Sequence, residues 1–567
     1  MFSKNSHLID DTLLILTMAV LAGCGLIYEY LLSHYAGRVL GVMESTIYTM
    51  IGLMIVSMGL GAFAARKVQC AFNGFVYLEL IIALLGASAI LFIGALIAIT
   101  QTLPHVIADM FALPPDMLPQ GGIFNQLSFL AINSPYFFGL MLGFFIGMEI
   151  PLIARIREQI HGQHLANNLG TIYGADYIGA GLGAAIWVLF LLSIDISKAA
   201  ALTASLNLIA GSFFILRYWH KLNWRKTFVS LHILLALIIF LMFNYGNQWL
   251  NQMNNLLYLD KVVHSQKTHY QQLTFTERNM GLSYGSAQKS IINFYLNGRL
   301  QFSSLDEHIY HDYLVAPVLT GSARHDNILI IGGGDGLALR DVLKYNPKQV
   351  TLIDLDNELI NIFQKPEQHL NGSLARKISD LNEDSLQDER VNILRSDAFL
   401  TINDLLKSGQ MFDAIIVDLP DPSHPDLNKL YSVNFYARLK QLLSGDGLIA
   451  IQSTSPYHAK DSFISIGKTL AAADFIHVQQ YHDNVPSFGE WGWTIAAKVG
   501  ASPLARLSKL EQLPIQHTWL NLDMLKAAFI FPNDFYHNKK NIAINTLGSH
   551  TLYQLHQKAW QNQQGIQ

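Results

Sequence analysis

Long apolar runs occupy the first 245 or so residues of the chain and do not recur after that point. Seven of these runs reach about 20 residues, the length of helix that crosses the hydrocarbon layer of a bilayer. They lie near 13–32, 45–65, 75–99, 127–150, 170–193, 197–217 and 228–245. The pattern therefore predicts an all-α bundle of about seven transmembrane helices over residues 1–245.

A different pattern begins near residue 246. Short alternating segments between 267 and 316, namely LTFTE, INFYLNG and LQFSS, predict a small antiparallel β domain over 246–316. Apolar strand-like runs then alternate with helix-compatible stretches, in the order NILIIGG, VTLIDLD, NILRSD, DAIIVDL and LIAIQST. This alternation predicts a doubly wound, Rossmann-like α/β sheet over 317–505, whereas no pattern assigns a role to the C-terminal extension 506–567.

The composition narrows the classes of function. Only 14% of the 567 residues are charged, against about 25% in an ordinary soluble domain. The net charge of -4 and the lack of a basic patch argue against a nucleic-acid partner. The two cysteines, Cys24 and Cys70, lie in or beside apolar runs and fit neither a disulfide framework nor a zinc site, so no metal is expected.

Four acidic residues fall inside the predicted spans: Glu29, Glu79, Glu149 and Asp176. A charge at the centre of a bilayer costs about 3 kcal/mol even on the more lenient insertion scale, so each needs an explanation. Either they line a polar site for a cation or an amine, or they pair within the bundle and hold its helices in register.

Basic residues give a topology that conflicts with the chemistry derived below. They cluster in alternate connections, at Arg66 and Lys67, at Arg155 and Arg157, and over 217–226. The positive-inside rule places these connections in the cytoplasm, and seven spans then leave the C-terminal half outside. Because its chemistry uses an ATP-derived metabolite, we expect that half in the cytoplasm. A miscounted or re-entrant span and an outward-facing domain are the alternatives.

The first parallel strand runs into a glycine loop, GGGDG at 332–336, and the next strand ends at Asp354. Glycine permits a tight turn and a close approach of the backbone to a nucleotide, and a carboxylate at this spacing binds ribose hydroxyls. The combination predicts a nucleoside site. Asp335 inside the loop would repel a pyrophosphate and suits a ligand with a cationic tail. Asp397, in RSDAF, is either an adenine contact or a helix cap.

Two further carboxylates, Asp418 and Asp421, follow the fourth strand in DLPDPSHP. A primary amine has a pKa of about 10.4 and arrives protonated, so it becomes a nucleophile only after a base removes a proton. The pair therefore predicts a site that binds and deprotonates a cationic amine, with a solvated acidic loop as the alternative.

From about 255 to 500 these residues resemble the spermidine synthase (polyamine aminopropyltransferase) family. The matches are YQQ at 270–272, LNGRLQ at 296–301 and DEHIYHDYL at 306–314, followed in order by GGGDG, IDLD, SDA and DLPDP. The N-terminal half, with GLIYEYLL, SMGLGAF and GMEIPLIARI, is similar to the membrane domain fused to a bacterial subgroup of the family.

The resemblance implies a reaction in which decarboxylated S-adenosylmethionine gives its aminopropyl group to putrescine or a related amine, with no tightly bound cofactor. It implies that the donor's nucleoside contacts Gln271, Gln301, Asp354, Asp397, Ala398 and Pro425, and the loop glycines Gly332 and Gly334 would lie against the same group. The amine-binding residues it implies are His311, Asp335, Asp418 and Asp421, with Asp418 as the proton acceptor. It also implies a bacterial inner membrane, a lipid bilayer as partner, and a homodimer formed through the small sheet.

Departures from the family pattern leave the acceptor amine open. Asn297 stands in LNG where LDG is usual, Leu305 stands in LDE where RDE is usual, and the loop DLPDPSHP and the segment NVPSFGEWGW also differ. Two other classes of function compete. One is a methyltransferase that uses S-adenosylmethionine, whose carboxylate would be repelled by Asp335. The other is a membrane transporter or sensor in which the C-terminal half binds its ligand without turnover.

Overall fold

A computed structural model of the chain describes residues 2–40, 43–111, 121–161, 168–256, 258, 260–279 and 290–563. The chain forms two compact units, Met1–Leu259 and Asp260–Gln567. The described part of the first unit contains helices and no strand, whereas the second unit is built on two β-sheets.

The first unit is a bundle of long helices. They are α1 (Phe2–Leu40), α2 (Met43–Ala64), α3 (Ala71–Met110), α4 (Ile123–Ile146), α5 (Glu149–His161), α6 (Asn168–Leu189), α7 (Ile196–Arg217) and α8 (Arg225–Asn255). Within the described residues, seven helical stretches are long and apolar enough to cross a membrane, α4 and α5 forming one of them. Helix α8 continues past the boundary predicted at 245, because the polar residues that end the apolar run still support a helix.

Helices α1 and α6 approach each other closely through glycine. A Cβ atom on Gly179 would overlap the backbone of Ala19, and one on Gly183 would lie 2.5 Å from the carbonyl oxygen of Gly23. Small residues allow such contact between apolar helices. Gly181 lies on the same helix but has open space around its Cα atom, so it carries no such constraint.

A polar contact joins three helices inside the bundle. The Asn207 amide nitrogen donates to Glu79 Oε2 at 2.9 Å, and the Tyr28 hydroxyl donates to Asn207 Oδ1 at 3.1 Å. This hydrogen-bonded chain connects α1, α3 and α7, as expected if Glu79 holds helices in register. Glu149 is also buried, and neither of its carboxylate oxygens has a hydrogen-bond partner in the described parts of the chain.

Three arginines of the basic connections have partners within this unit. The Arg155 guanidinium donates to the carbonyl oxygens of Ala65 and Val68, at 3.2 and 2.8 Å. Arg157 pairs with Asp11, and Arg217 pairs with Asp10 at 2.6 Å, so both reach the start of α1. These arginines therefore have structural roles in addition to any role in topology. 

The second unit begins with a four-stranded antiparallel sheet. Its strands, in spatial order, are β1 (Lys261–Lys267), β2 (Gln272–Asn279), β3 (Ser290–Leu296) and β4 (Arg299–Ser303). The alternating segments of the sequence correspond to β2, β3 and β4. Strand β1 was not predicted, because its residues are half-buried or exposed and give no apolar alternation.

The turn between β3 and β4 explains one departure from the family pattern. Its two residues, Asn297 and Gly298, both have positive φ, 50° and 80°. Two-residue hairpin turns of this kind favour Asn or Asp followed by Gly. LNG therefore preserves the turn that LDG would make.

The larger sheet has seven strands. They are β5 (Asn327–Gly332), β6 (Gln349–Asp354), β7 (Val391–Arg395), β8 (Phe412–Asp418), β9 (Leu443–Gln452), β10 (Ile476–Val485) and β11 (Gly489–Ala497). Their order is β10-β11-β9-β8-β5-β6-β7, and β5 to β9 pair in parallel as the sequence predicts. The hairpin β10–β11 adds an antiparallel edge that was not predicted, because its first strand is rich in polar residues.

Helices cover both faces of this sheet. They are α9 (Glu307–Gly321), α10 (Leu337–Leu343), α11 (Asn357–Gln364), α12 (Pro366–His369), α13 (Gly372–Asn382), α14 (Ala398–Ser408), α15 (Val433–Leu442), α16 (Lys460–Ala472), α17 (Pro503–Leu507), α18 (Leu522–Ala527) and α19 (Thr551–Gln563). Ile328 and Ile330 of β5 pack with α9, α10 and α11, whereas Leu329 and Ile331 pack with α14, α15 and α16. A strand buried on both faces reads as a continuous apolar run, which is why β5 was recognisable.

Two predicted boundaries do not coincide with breaks in this unit. The boundary between 316 and 317 falls inside α9, so the helix that follows the small sheet also packs on the large one. Residues after 505 continue as α18 and α19, with Leu525 and Leu552 buried in the two cores of the large sheet. The described part of the C-terminal extension is therefore integrated in the second unit.

We predict that the glycine contact between α1 and α6 is needed for stability. Gly179→Ala forces the two backbones apart and should lower the free energy of unfolding by about 1–3 kcal/mol, as overpacking does. Gly181→Ala is the matched control and should not lower the free energy of unfolding, because its Cβ atom meets open space. The measurement is the melting temperature of the detergent-solubilised variants. Equal melting temperatures for both variants would contradict the prediction.

Candidate active site

Polar side chains meet where β5, β6 and β8 end. The carboxyl ends of parallel strands lie on one edge of a sheet, which is where doubly wound folds bind ligands. Gly332 at the end of β5 is the register partner of Asp418 at the end of β8. The glycine loop and the acidic loop of the sequence are therefore neighbours in the fold.

The glycine loop needs its glycines for close approach and for backbone conformation. Gly332 has φ of 84°, and a Cβ atom there would overlap the carbonyl oxygen of Asp418. A Cβ atom on Gly334 would lie 2.8 Å from Asp354 Oδ2, which accepts a hydrogen bond from the Gly334 amide at 3.1 Å. The loop is thus pressed against β8 on one side and against Asp354 on the other.

Asp354 lies at the centre of the predicted nucleoside side of the site. Its other carboxylate oxygen accepts from the Asp356 amide at 3.0 Å, and burial raises its pKa to about 6. Gln271, from the turn between β1 and β2, donates from its amide nitrogen to Asp356 Oδ2 at 3.0 Å. The fold therefore brings Gln271 to the end of β6, beside Asp354.

Asp397 caps a helix, which is one of the two roles that the sequence predicts for it. Its carboxylate accepts from the Phe399 amide at 2.8 Å at the start of α14, where Ala398 is buried. The other carboxylate oxygen pairs with Lys429 at 2.7 Å. Lys429 belongs to a 3-10 segment that begins at Pro425. The ion pair therefore links the segment of Pro425 to the start of α14, where Asp397 and Ala398 lie.

Gln301 is not joined to the other predicted residues by its hydrogen bonds. In the described part of the chain its side-chain amide donates to the Arg299 and Leu300 carbonyl oxygens of its own strand, at 3.3 and 3.2 Å.

His311 belongs to a buried network of charged groups on α9 and α10. Its Nδ1 lies 2.8 Å from Glu307 Oε2, and Arg340 holds the same carboxylate with contacts of 2.8 and 3.1 Å. Burial disfavours protonation of His311, but the hydrogen bond and charge of Glu307, with the charges of Asp418 and Asp335, raise its pKa to about 9. Arg340 also pairs with Asp341. His311 is therefore a cation at neutral pH.

Asp335 and Asp418 supply the uncompensated negative charge of the site. Burial raises the pKa of Asp335 to about 6, and the nearby charge of Asp418 adds to the effect. Burial also raises the pKa of Asp418, against the opposing influence of His311 and of the Tyr310 hydroxyl, which donates to Asp418 Oδ1 at 2.7 Å. His311 and Arg340 form their ion pairs with Glu307 and Asp341, so Asp335 and Asp418 have no ion-pair partner among the described residues, which suits a cationic ligand.

Asp421 has a different environment from Asp418, although the sequence pairs them. The Gln452 amide donates to its Oδ1 at 3.0 Å, and Oδ2 contacts the Thr454 hydroxyl at 3.3 Å and His556 Nε2 at 3.1 Å. Burial opposes ionisation of Asp421, but hydrogen bonds from His556 and Gln452 and the charge of Arg299 keep its pKa low. The two carboxylates therefore do not form one interchangeable pair.

Several residues that contribute to the site were not predicted from the sequence. Tyr310 and Glu307 lie inside the family motif DEHIYHDYL, so the resemblance included these residues although it assigned them no role. Gln452 and Thr454 follow an apolar strand without a recognisable motif. His556 lies in the extension that had no functional account, and no local pattern could have found it.

The fold and this arrangement define a doubly wound α/β class of protein with an acidic site at the carboxyl ends of its parallel strands. A model of the spermine/spermidine synthase domain matches residues 307–507. A crystal structure of spermidine synthase from Thermotoga maritima matches 50% of this chain and 88% of that chain, at 22% identity and a TM-score of 0.40.

Two relatives match over almost the whole chain, including the helical bundle. The polyamine aminopropyltransferase of Shewanella oneidensis is 56% identical over 98% of this chain and 96% of its own length. Polyamine aminopropyltransferase 1 of Streptomyces coelicolor is 30% identical over 97% of this chain and 95% of its own length. The chain therefore belongs to the polyamine aminopropyltransferase family of transferase enzymes, which confirms the resemblance found in its motifs.

We predict that His311 makes stability depend on pH. Its folded pKa of about 9 lies above the unfolded value of about 6.5, so its stabilising effect is complete below 6.5 and lost as the pH rises through 9. His311→Gln should therefore lose less melting temperature than the wild type between pH 6.5 and 9.5. His550→Gln, at an exposed position, is the control and should follow the wild type. Identical losses in all three proteins would contradict the prediction.

Proposed function

We propose that the C-terminal unit transfers the aminopropyl group of decarboxylated S-adenosylmethionine to putrescine or a related amine, giving spermidine and methylthioadenosine. The observation that carries the proposal is the charge of two aspartates without an ion-pair partner among the described residues: Asp335 inside the glycine loop, and Asp418 at the neighbouring end of β8. A donor with a sulfonium and an ammonium group, and a diamine acceptor, both supply the cations that such a site lacks.

The donor's nucleoside would lie along the glycine loop. Asp354 is placed to accept ribose hydroxyls, and Gln271 is fixed nearby through Asp356. Asp335, at the far end of the loop, would attract the donor's terminal ammonium. These contacts hold the carbon beside the sulfonium in one place, and positioning of this kind supplies a large part of the acceleration in a displacement reaction.

Asp418 would act as the proton acceptor. The acceptor's ammonium loses a proton to the carboxylate, and the freed nitrogen lone pair forms a bond to the carbon beside sulfur. The carbon–sulfur bond breaks, and its electron pair stays on sulfur as the neutral thioether of methylthioadenosine. Tyr310 orients Asp418 through the 2.7 Å hydrogen bond, and burial makes the carboxylate a stronger base by raising its pKa.

We propose further that the helical unit spans a bacterial inner membrane. Its outer helices expose large apolar side chains, with Phe63 72% and Leu216 75% exposed. Apolar surface of this kind on long helices is stable against lipid and unstable against water. We also propose that the protein forms a homodimer through the small sheet of the second unit, because the synthases that this unit resembles pair in that way.

The C-terminal unit is proposed to lie in the cytoplasm, where the donor is made. The basic residues at one end of the bundle argue for the opposite orientation by the positive-inside rule. Arg155, Arg157 and Arg217, however, are each held by partners within the bundle, which accounts for their positions without reference to the side of the membrane.

We predict amine-dependent release of methylthioadenosine by the detergent-solubilised protein. Putrescine, cadaverine and spermidine are compared as acceptors with decarboxylated S-adenosylmethionine. Asp418→Asn should lower the rate by about 10²–10⁴-fold, as loss of a general base does. Asp426→Asn, whose side chain is 89% exposed in the same segment, should keep the wild-type rate. No release with any of the three amines, in protein that binds the donor, would contradict the proposal.

We predict that the second unit is shielded from reagents outside the cell. Lys407, with a side chain 78% exposed, is changed as Lys407→Cys in a chain that also carries Cys70→Ser. A membrane-impermeant maleimide should label this variant in permeabilised spheroplasts and leave it unlabelled in intact ones. Labelling of intact spheroplasts would place the unit outside and overturn the proposed orientation.

A further inference from the structure

The C-terminal extension is anchored to the segment that follows the acidic loop. The Asn545 side-chain amide donates to the carbonyl oxygens of Asn428 and Tyr431, at 2.9 and 3.1 Å. The Asn545 carbonyl oxygen accepts from the Val433 amide at 3.0 Å. Because Asn545 is fully buried, these bonds tie the extension firmly to the residues just after the loop of Asp418 and Asp421.

One face of helix α19 packs against the rest of the second unit. Leu552 is buried in the core beneath the large sheet, and His556 follows it one turn later on the same face. The amide of Tyr553 donates to Asn428 Oδ1 at 3.3 Å, which aligns the start of the helix with the 3-10 segment. The position of His556 is thus determined by several contacts besides its own.

His556 completes the set of donors around Asp421. Its side chain is 2% exposed, and its Nε2 lies 3.1 Å from Asp421 Oδ2. Thr454 contacts the same oxygen and has φ of 59°, a left-handed conformation that is strained for a β-branched residue. Such strain persists where the surroundings over-determine the geometry, which is common at functional sites. Gln452 holds the other oxygen.

We propose that α19 forms part of the acceptor site and that His556 is a positioning residue for the acceptor amine, acting through Asp421. This inference rests on the proposed function. A carboxylate has about four lone-pair sites, and three donors on Asp421 leave one of them, on Oδ1, for an ammonium group. His556 therefore determines the direction from which Asp421 can bind the end of the acceptor that does not react.

Two variants of similar volume separate this role from simple packing. His556→Leu fills the space without a donor, whereas His556→Gln keeps an N–H group. His550→Leu, at an exposed position before α19, is the control. The Michaelis constants for putrescine and for the donor are measured by release of methylthioadenosine from the full-length protein.

A hydrogen bond to a charged group contributes about 1.5–3 kcal/mol, which corresponds to about a 10–140-fold effect. We therefore expect His556→Leu to raise the Michaelis constant for putrescine at least tenfold and to change that for the donor less than twofold. His556→Gln should stay within about threefold of the wild type for both substrates. The control should match the wild type.

A double-mutant cycle tests whether His556 acts through Asp421. If it does, Asp421→Asn combined with His556→Leu should cost no more than Asp421→Asn alone. Additive losses, an unchanged or lowered Michaelis constant for putrescine, or equal changes for amine and donor would overturn the inference while leaving the proposed function intact. A wild-type protein that binds the donor and releases nothing with any amine would overturn both.

Discussion

Asp335 in the glycine loop and Asp418 at the end of β8 are half-buried carboxylates without an ion-pair partner among the described residues, and the rest of the site is arranged around their charge. Burial raises the pKa of both groups, so the fold does not stabilise their ionised forms by itself. The nearby cations His311 and Arg340 form their ion pairs with Glu307 and Asp341 and not with these two aspartates. A cationic substrate therefore completes the site electrostatically, which links affinity to the charge of the ligand.

Hydrogen bonds from several elements hold the carboxylates of the site in place. A base is effective only if its oxygen is held within hydrogen-bond reach of the proton it removes. Tyr310 holds Asp418 from α9, while Gln452 and Thr454 hold Asp421 from the end of β9. The glycine loop presses against β8 because Gly332 has no Cβ atom. The hydrogen bonds from Tyr310, Gln452 and Thr454 come from uncharged groups, so they hold the carboxylates without neutralising them.

The two units are stabilised by different kinds of contact. In the helical unit, glycine allows α1 and α6 to pack closely, and a hydrogen-bonded chain from Tyr28 through Asn207 to Glu79 joins three helices. In the second unit, helices cover both faces of the large sheet, and Asp354 and Asp418 lie at the ends of their strands. The first unit thus presents apolar side chains outward, whereas the second buries them.

The sequence by itself determined the division of the chain, the parallel strands, the glycine loop and the carboxylates that end the strands. These features are local, because periodicity, turn chemistry and strand ends depend on residues a few positions apart. Only the tertiary structure decided that Asp421 is held by His556, which lies 135 positions away, and that Tyr310 faces Asp418 across 108 positions. Such contacts depend on how whole elements pack, and no local pattern records that packing.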